Sequence, residues 1–144
     1  MINNLADYFK KDYRYYLNSI SYNRIEEKQE DLHKEKRLSC ASTISTEVYS
    51  QDKTLKLTLE ETLSFDPQSF FSLTVSFCAI LNFNEDNFSD YEWEKIDISK
   101  EFDLNGSFVL HDLKSRISLL FAQITAAFGK TPIIIPTVAM VDKD

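Results

Sequence analysis

The sequence predicts an α+β fold: a four-stranded antiparallel sheet followed by a short helix and a long C-terminal helix, both packed on one face of the sheet. Two observations support this prediction. Between about residues 38 and 83, apolar and polar residues alternate with a period of two, which is typical of strands with one buried face. From about residue 96, the apolar spacing changes to three and four residues, which is typical of amphipathic helices. A chain of 144 residues is long enough for one domain with a single core.

The first quarter of the chain gives an N-terminal extension, a strand and a charged connection. Residues 1–12 are assigned to the extension, as a short amphipathic helix or a disordered lead-in, and residues 13–144 to the domain. Residues 13–25 are rich in β-branched and aromatic side chains, which predicts the first strand. Aromatic residues on both of its faces leave its phase open. Residues 26–37 hold ten ionisable side chains and form either a solvated loop or a charged loop that touches a partner.

Three further strands follow with clear alternation, at residues 38–50, 54–65 and 69–83. The sequences SQDK and DPQS between them are typical of turns, so we expect consecutive strands to pair as hairpins. An acidic loop follows at residues 84–95 and carries Tyr91 and Trp93.

The helices come last. Residues 96–104 predict the short helix, which ends at Asn105-Gly106. Residues 107–128 predict the long one, with Ser107 as its N-cap and Gly129 just beyond its C-terminal end. We expect the long helix to bury its apolar side against the sheet.

Composition excludes several classes of protein. The net charge of −7 disfavours nucleic-acid partners, which need a basic face, and suits a basic partner segment. The first residues contain no apolar signal region, and no run reaches the roughly 18–20 apolar residues of a membrane-spanning helix. We therefore expect a cytoplasmic protein without membrane insertion. Cys40 and Cys78 lack metal or redox spacing, so reduced thiols are expected, with a single disulfide as the alternative.

No catalytic or cofactor motif is complete. The Gly-Lys-Thr at 129–131 resembles the end of a phosphate-binding loop, but Ile124 stands where that loop needs a glycine, and the motif closes a helix. His111 and Asp112 are adjacent on a helix and point in different directions, so we expect Asp112 to complement the helix dipole. Cys78 falls on the polar side of its strand, which predicts exposure or an interface. We expect no enzyme activity, no cofactor and no metal.

Residues 101–140 resemble the C-terminal part of the SecB-like proteins. Those proteins have a short helix, a break, a long helix with an arginine, a glycine and a proline-rich extended tail. The matching positions are the break at Asn105-Gly106-Ser107, the helix start at Val109-Leu110-His111-Asp112, the arginine position at Lys114 or Arg116, and the tail at Gly129, Pro132 and Pro136, with Ile133, Ile134 and Ile135 between the prolines. We expect this tail to be extended and to pack along the long helix or the sheet.

The resemblance implies a homodimer or homotetramer that acts as an ATP-independent chaperone and binds unfolded chains in apolar surface grooves. Three departures bear on an export role: His111-Asp112 replaces a Pro-Tyr pair, Thr131 replaces the first paired proline, and no Cys/His zinc-binding tail precedes Asp144. The alternative function is a SecB-fold protein dedicated to one partner, such as an antitoxin or another regulatory protein. The aromatic residues predicted to contact polypeptide are Tyr15, Tyr22, Tyr49, Phe70, Tyr91 and Trp93.

Overall fold

The computed structural model describes residues 1–128 and 133–134. Its strands are β1 (Arg14–Ile25), β2 (Arg37–Tyr49), β3 (Thr54–Asp66) and β4 (Phe70–Asn82), and its α-helices are α1 (Ile98–Asn105) and α2 (Ser107–Ala126). Short 3-10 helices lie at Leu5–Tyr8, Gln29–Asp31, Phe88–Asp90 and Trp93–Lys95. These elements confirm the predicted fold class. The predictions for Gly129, for the Gly-Lys-Thr at 129–131 and for most of the proline-rich tail lie outside the described residues.

The four strands form one antiparallel sheet in the order β1-β4-β3-β2. The two predicted hairpins join β2 to β3 and β3 to β4. β1 instead pairs with β4, so the charged segment between β1 and β2 crosses from one edge of the sheet to the other. Two of its lysines pair within the segment, Lys36 with Glu27 and Lys34 with Asp31.

One face of the sheet carries the core. Leu55, Leu57 and Leu59 of β3 are fully buried, and they stand opposite the buried odd-numbered residues of β4. Helix α2 lies over β4 and β3, while α1 lies over β2. The amphipathic side of α2 meets this face through Leu113, Ile117 and other apolar residues, as the helical spacing predicts.

The N-terminal extension packs into the same core. Ile2, Leu5, Tyr8 and Phe9 are all buried, although only Leu5–Tyr8 is helical, as one 3-10 turn. The backbone of Ile2 is bonded at both polar groups: its N–H donates to Glu101 Oε1 at 2.7 Å, and its carbonyl accepts from Asn105 Nδ2 at 3.1 Å. The extension and the predicted domain, 13–144, thus share one core in the described part of the chain.

Two local predictions are wrong. Ser107 is the first helical residue of α2 and not its N-cap, because α2 follows α1 with Gly106 alone between them, and Gly106 occupies the cap position. Cys78 is fully buried, so the prediction of exposure is wrong, while its alternative, an interface, stays a prediction. It lies on the face of the sheet opposite the helices, where Tyr16 stands directly across from it and Thr58 Oγ1 lies 3.2 Å from its Sγ. Larger neighbouring side chains therefore cover this small residue.

The two cysteines are free thiols. Cys40 stands opposite Leu63 on the helix-bearing face, whereas Cys78 lies on the other face, so the alternative of a disulfide does not apply to this structure. Burial, with the neighbouring Glu61 carboxylate as a second cause, raises the pKa of the Cys40 thiol to about 11.

Candidate functional site: an apolar groove beside the long helix

Four large apolar side chains of the edge strand β1 remain uncovered on the helix-bearing face of the sheet. We call Tyr15, Leu17, Ile20 and Tyr22 the β1 stripe, and each is between 41% and 46% exposed. They stand opposite Ala79, Phe77, Val75 and Leu73 of β4, respectively, which all belong to the buried face. The stripe therefore continues the core surface sideways, beyond the part that α2 covers.

A β-bulge explains how all four residues reach one face. The pairing of β1 with β4 shifts between Leu17 and Ser19, so Asn18 is an extra residue in the strand. A bulge of this kind reverses the inward and outward parity of the residues that follow it. The odd-numbered apolar residues before Asn18 and the even-numbered ones after it consequently share one face. This settles the phase of the first strand, which the sequence left open.

Helix α2 forms the raised wall of the groove at the Tyr15 end. The guanidinium carbon of Arg116 lies 3.9 Å from the centre of the Tyr15 ring, within the range of a cation–π contact. Asp112 accepts a hydrogen bond from the hydroxyl of Tyr13 at 3.0 Å and forms an ion pair with Arg116 at 3.3 Å. These contacts hold the start of β1 against the helix. Asp112 lies beyond the first turn of α2, so the prediction that it complements the helix dipole is wrong, and it bonds these two side chains instead.

At the other end of the stripe, five rings form a pocket that we call the aromatic cup. Its rings are Tyr22, Phe65, Phe70, Phe71 and Phe128. Successive ring centres lie 5.0–5.4 Å apart from Phe70 to Phe65, Phe65 to Phe71, Phe71 to Phe128, and Phe128 to Tyr22. These separations are typical of favourable aromatic pairs.

The aromatic cup encloses about 410 Å³ and is completed by Arg24, Thr125 and Ile133. Ile133 is held there because its N–H donates to Thr125 Oγ1 at 2.8 Å, while the Thr125 hydroxyl donates to the carbonyl of Phe121 at 2.7 Å. Phe70 has a φ of 61°, a conformation that bulky residues rarely adopt. Such backbone outliers cluster at ligand-binding sites, which is consistent with a site here.

The structure separates the six residues predicted to contact polypeptide. Tyr22 and Phe70 lie in the aromatic cup, and Tyr15 lies at the far end of the β1 stripe. Tyr49 is 39% exposed but lies at the end of β2, opposite Thr54, on the other face of the sheet. Tyr91 is 38% exposed and packs against Tyr8, away from the groove. The roles of these five residues stay predictions.

The prediction that Trp93 lies on an exposed contact surface is wrong, because its side chain is only 1% exposed. Its ring packs against Tyr8, Phe9 and Phe83, and its indole N–H donates to the carbonyl of Phe88 at 2.8 Å. A tryptophan in an acidic loop is consistent with surface exposure. Here the N-terminal extension covers it, and this long-range contact leaves no trace in the local sequence.

Sequence reasoning missed Leu17, Ile20 and Arg24. A signal for the first two was present, because the spacing of Tyr15, Leu17, Ile20 and Tyr22 is two, three and two residues. Two alternating pairs separated by one extra residue are the pattern of a strand with a bulge.

The groove offers apolar surface, a few hydrogen-bonding groups and a cation at each end. Within residues 1–128 and 133–134, no group of three or more His, Cys, Asp or Glu side chains is placed to hold a metal ion. Of the helices in that part of the chain, none is long and apolar enough to cross a membrane. The exposed apolar side chains of the groove are chemically suited to contact with an extended chain.

No family model matches this chain, and no curated protein matches it. Among solved structures, a SecB-like chaperone from Mycobacterium tuberculosis, in complex with a ChAD peptide from the HigA1 antitoxin, is similar with a TM-score of 0.66 and 10% sequence identity, over 92% of each chain. A protein of unknown function from Streptococcus agalactiae has a TM-score of 0.43 and 10% identity, over 85% of this chain and 93% of its own, and carries no weight here. The first match shows that this chain has a SecB-like fold.

Proposed function

We propose that this protein is an ATP-independent, chaperone-like member of the SecB-like proteins that binds extended polypeptide in the groove formed by the β1 stripe and the aromatic cup. The observation that carries the proposal is the β1 stripe itself: four large apolar side chains on one face of an edge strand, all more than 40% exposed. The solved SecB-like chaperone with a similar fold holds a peptide, which supports polypeptide as the class of ligand.

The dimensions of the stripe suit a short extended segment. From Tyr15 to Tyr22 the strand covers roughly 23 Å at about 3.3 Å per residue, the length of about seven residues of an extended ligand. If each of the four side chains leaves roughly 80 Å² exposed, the stripe offers on the order of 300 Å² of apolar surface. Its burial at about 25 cal/mol per Å² corresponds to roughly 8 kcal/mol before the cost of association is subtracted. Affinities in the micromolar range or weaker follow, which suits reversible holding of chains.

Self-association is part of the same proposal. β1 pairs only with β4 among the described strands, so one edge of this 12-residue strand presents unpaired backbone groups. Such an edge is a template for pairing with another chain. A homodimer or homotetramer that uses this edge keeps the β1 stripe, which lies on a face of the sheet, open to a ligand.

The test is suppression of aggregation of an unrelated, reduced and unfolded model protein, together with native mass by light scattering with and without that protein. We expect an oligomer that gains mass and suppresses aggregation. Tyr22→Ser, within the groove, is expected to raise the concentration needed for half-suppression roughly tenfold, equivalent to about 1.4 kcal/mol. Tyr49→Ser is the matched control, because Tyr49 is similarly exposed on the opposite face, and it also tests the prediction that Tyr49 itself contacts polypeptide. An equal loss in both variants would show that client contact is not confined to the groove.

A second candidate is a protein dedicated to one partner, such as an antitoxin or another regulatory protein. The antitoxin peptide in the similar solved structure favours it. Aggregation suppression, together with copurification, separates the two candidates. A dedicated binder ignores the unfolded model protein and copurifies with one species at fixed stoichiometry, whereas a general chaperone does not discriminate in this way.

A further inference from the structure

The aromatic cup has the properties of a pocket for one side chain. Its volume of about 410 Å³ lies at the low end of the roughly 300–1,000 Å³ range of ligand pockets. Five of the eight residues in its wall are aromatic, and it lies at the end of the β1 stripe. A bound extended segment therefore has one position at which a large side chain can turn into a pocket, whereas its other side chains lie along open surface.

Arg24 places a positive charge in the wall of this pocket. It follows Tyr22 by two residues on the same face of β1 and stands opposite Phe71. Among the described residues, no carboxylate lies within ion-pair distance of Arg24, whereas Arg116 at the other end of the groove is paired with Asp112. In the nearby crossing segment, Lys36 pairs with Glu27 and Lys34 pairs with Asp31, so these two carboxylates are engaged away from Arg24.

From this arrangement we infer that the aromatic cup selects an aromatic or large aliphatic side chain that is flanked by Asp or Glu in the bound polypeptide. The rings take the apolar side chain, and the Arg24 guanidinium binds the neighbouring carboxylate, for which its planar fork of N–H donors is suited. This inference rests on the proposed function and names the chemistry of the segment that the groove prefers.

The net charge of the chain alone predicts the opposite preference for flanking residues, so the two explanations can be told apart. At −7, the overall field repels an acidic peptide and attracts a basic one. Without a local cation at the cup, basic flanks are favoured. A preference for acidic flanks therefore has to come from Arg24, and it disappears or reverses when that single charge changes.

The experiment is competitive fluorescence anisotropy with extended ten-residue peptides that differ at three positions. A central Trp is flanked on both sides by Asp, by Asn or by Lys, and a fourth peptide keeps the Asp flanks but replaces Trp with Ala. We expect the Asp-flanked Trp peptide to bind about three- to tenfold more tightly than the Asn peptide, the Lys peptide to bind more weakly still, and the Ala peptide to be weakest.

Variants at Arg24 test the cause. Arg24→Gln is expected to abolish the preference for Asp flanks, and Arg24→Glu to reverse it in favour of Lys. Arg14→Glu is the matched control, because Arg14 lies on the same strand but opposite Ile80 on the other face, at the other end. Far-ultraviolet circular dichroism and native mass establish that each variant is folded.

The outcomes separate this inference from the proposed function. If the protein suppresses aggregation but binds the Asp and Lys peptides equally, or if Arg24→Glu leaves their order unchanged, the inference is refuted while the proposed function stands. If no peptide binds and no unfolded protein is held, the proposed function itself fails. If Arg14→Glu changes the order of the peptide affinities as much as Arg24→Glu does, the effect is due to net charge, and the role of Arg24 is overturned.

Discussion

Truncation of Phe9 to alanine tests whether the N-terminal extension belongs to the cooperative core. Phe9 is 4% exposed, and its ring centre lies 4.6 Å from that of Phe83, 5.6 Å from Phe102 and 6.0 Å from Phe108. The alanine variant loses these ring contacts and leaves a cavity between the sheet and both helices. Buried Phe→Ala changes cost about 3–5 kcal/mol, and we expect a loss of about 4 kcal/mol here.

That loss is large compared with the roughly 5–15 kcal/mol by which domains are stable. It corresponds to a fall of about 10–15 °C in Tm for a domain of this size. Phe9→Leu keeps most of the apolar volume and loses only the ring geometry, so we expect it to cost about 1–2 kcal/mol. Ile20→Ala is the surface control, at 45% exposure, and is expected to change stability by less than about 1 kcal/mol.

The assay is urea unfolding at several protein concentrations, so that any contribution of self-association is visible. The chain has one tryptophan, the buried Trp93, whose fluorescence reports on the region that Phe9 covers. Circular dichroism provides the second, global probe, and coincident transitions establish two-state behaviour. A free energy of unfolding for Phe9→Ala within about 1 kcal/mol of the parent protein would refute the reasoning and leave the extension as a loosely attached segment.

Two further predictions concern polar groups. Ser42→Ala removes the hydroxyl donor that lies 2.7 Å from the buried Glu61 carboxylate. We expect this change to lower the free energy of unfolding in urea by about 1–3 kcal/mol. Ser39→Ala, on the exposed face of the same strand, is the neutral control. Burial, and then the hydrogen bond to Asp112, raise the pKa of Tyr13 to about 12, so the folded state keeps the phenol proton longer than the unfolded state and stability falls as pH rises from about 10 to about 12. Tyr13→Phe should therefore lose less stability than the parent protein across this window, and equal slopes in alkaline unfolding would contradict the assignment.

The sequence predicted the elements because each depends on a local pattern. The leucines of β3 alternate with polar residues, and the apolar residues of α2 recur at three and four residues, so each element presents one buried side whatever covers it. Turn sequences placed the two hairpins for the same reason. Half of the predicted contact residues, Tyr15, Tyr22 and Phe70, lie along the groove. Their aromatic character was visible in the sequence, but the face on which each one lies was not.

Tertiary structure decided the rest, since it brings distant segments together. Trp93 is buried because residues 8 and 9 pack over it from the far end of the chain, and Cys78 is buried because neighbouring strands cover it. The aromatic cup draws its rings from β1, β3, β4 and the segment just after α2, so its existence depends on the strand order β1-β4-β3-β2. Periodicity along a chain records which side of an element is apolar. Whether that side is covered or left open depends on long-range packing, and on this sheet it left the β1 stripe open.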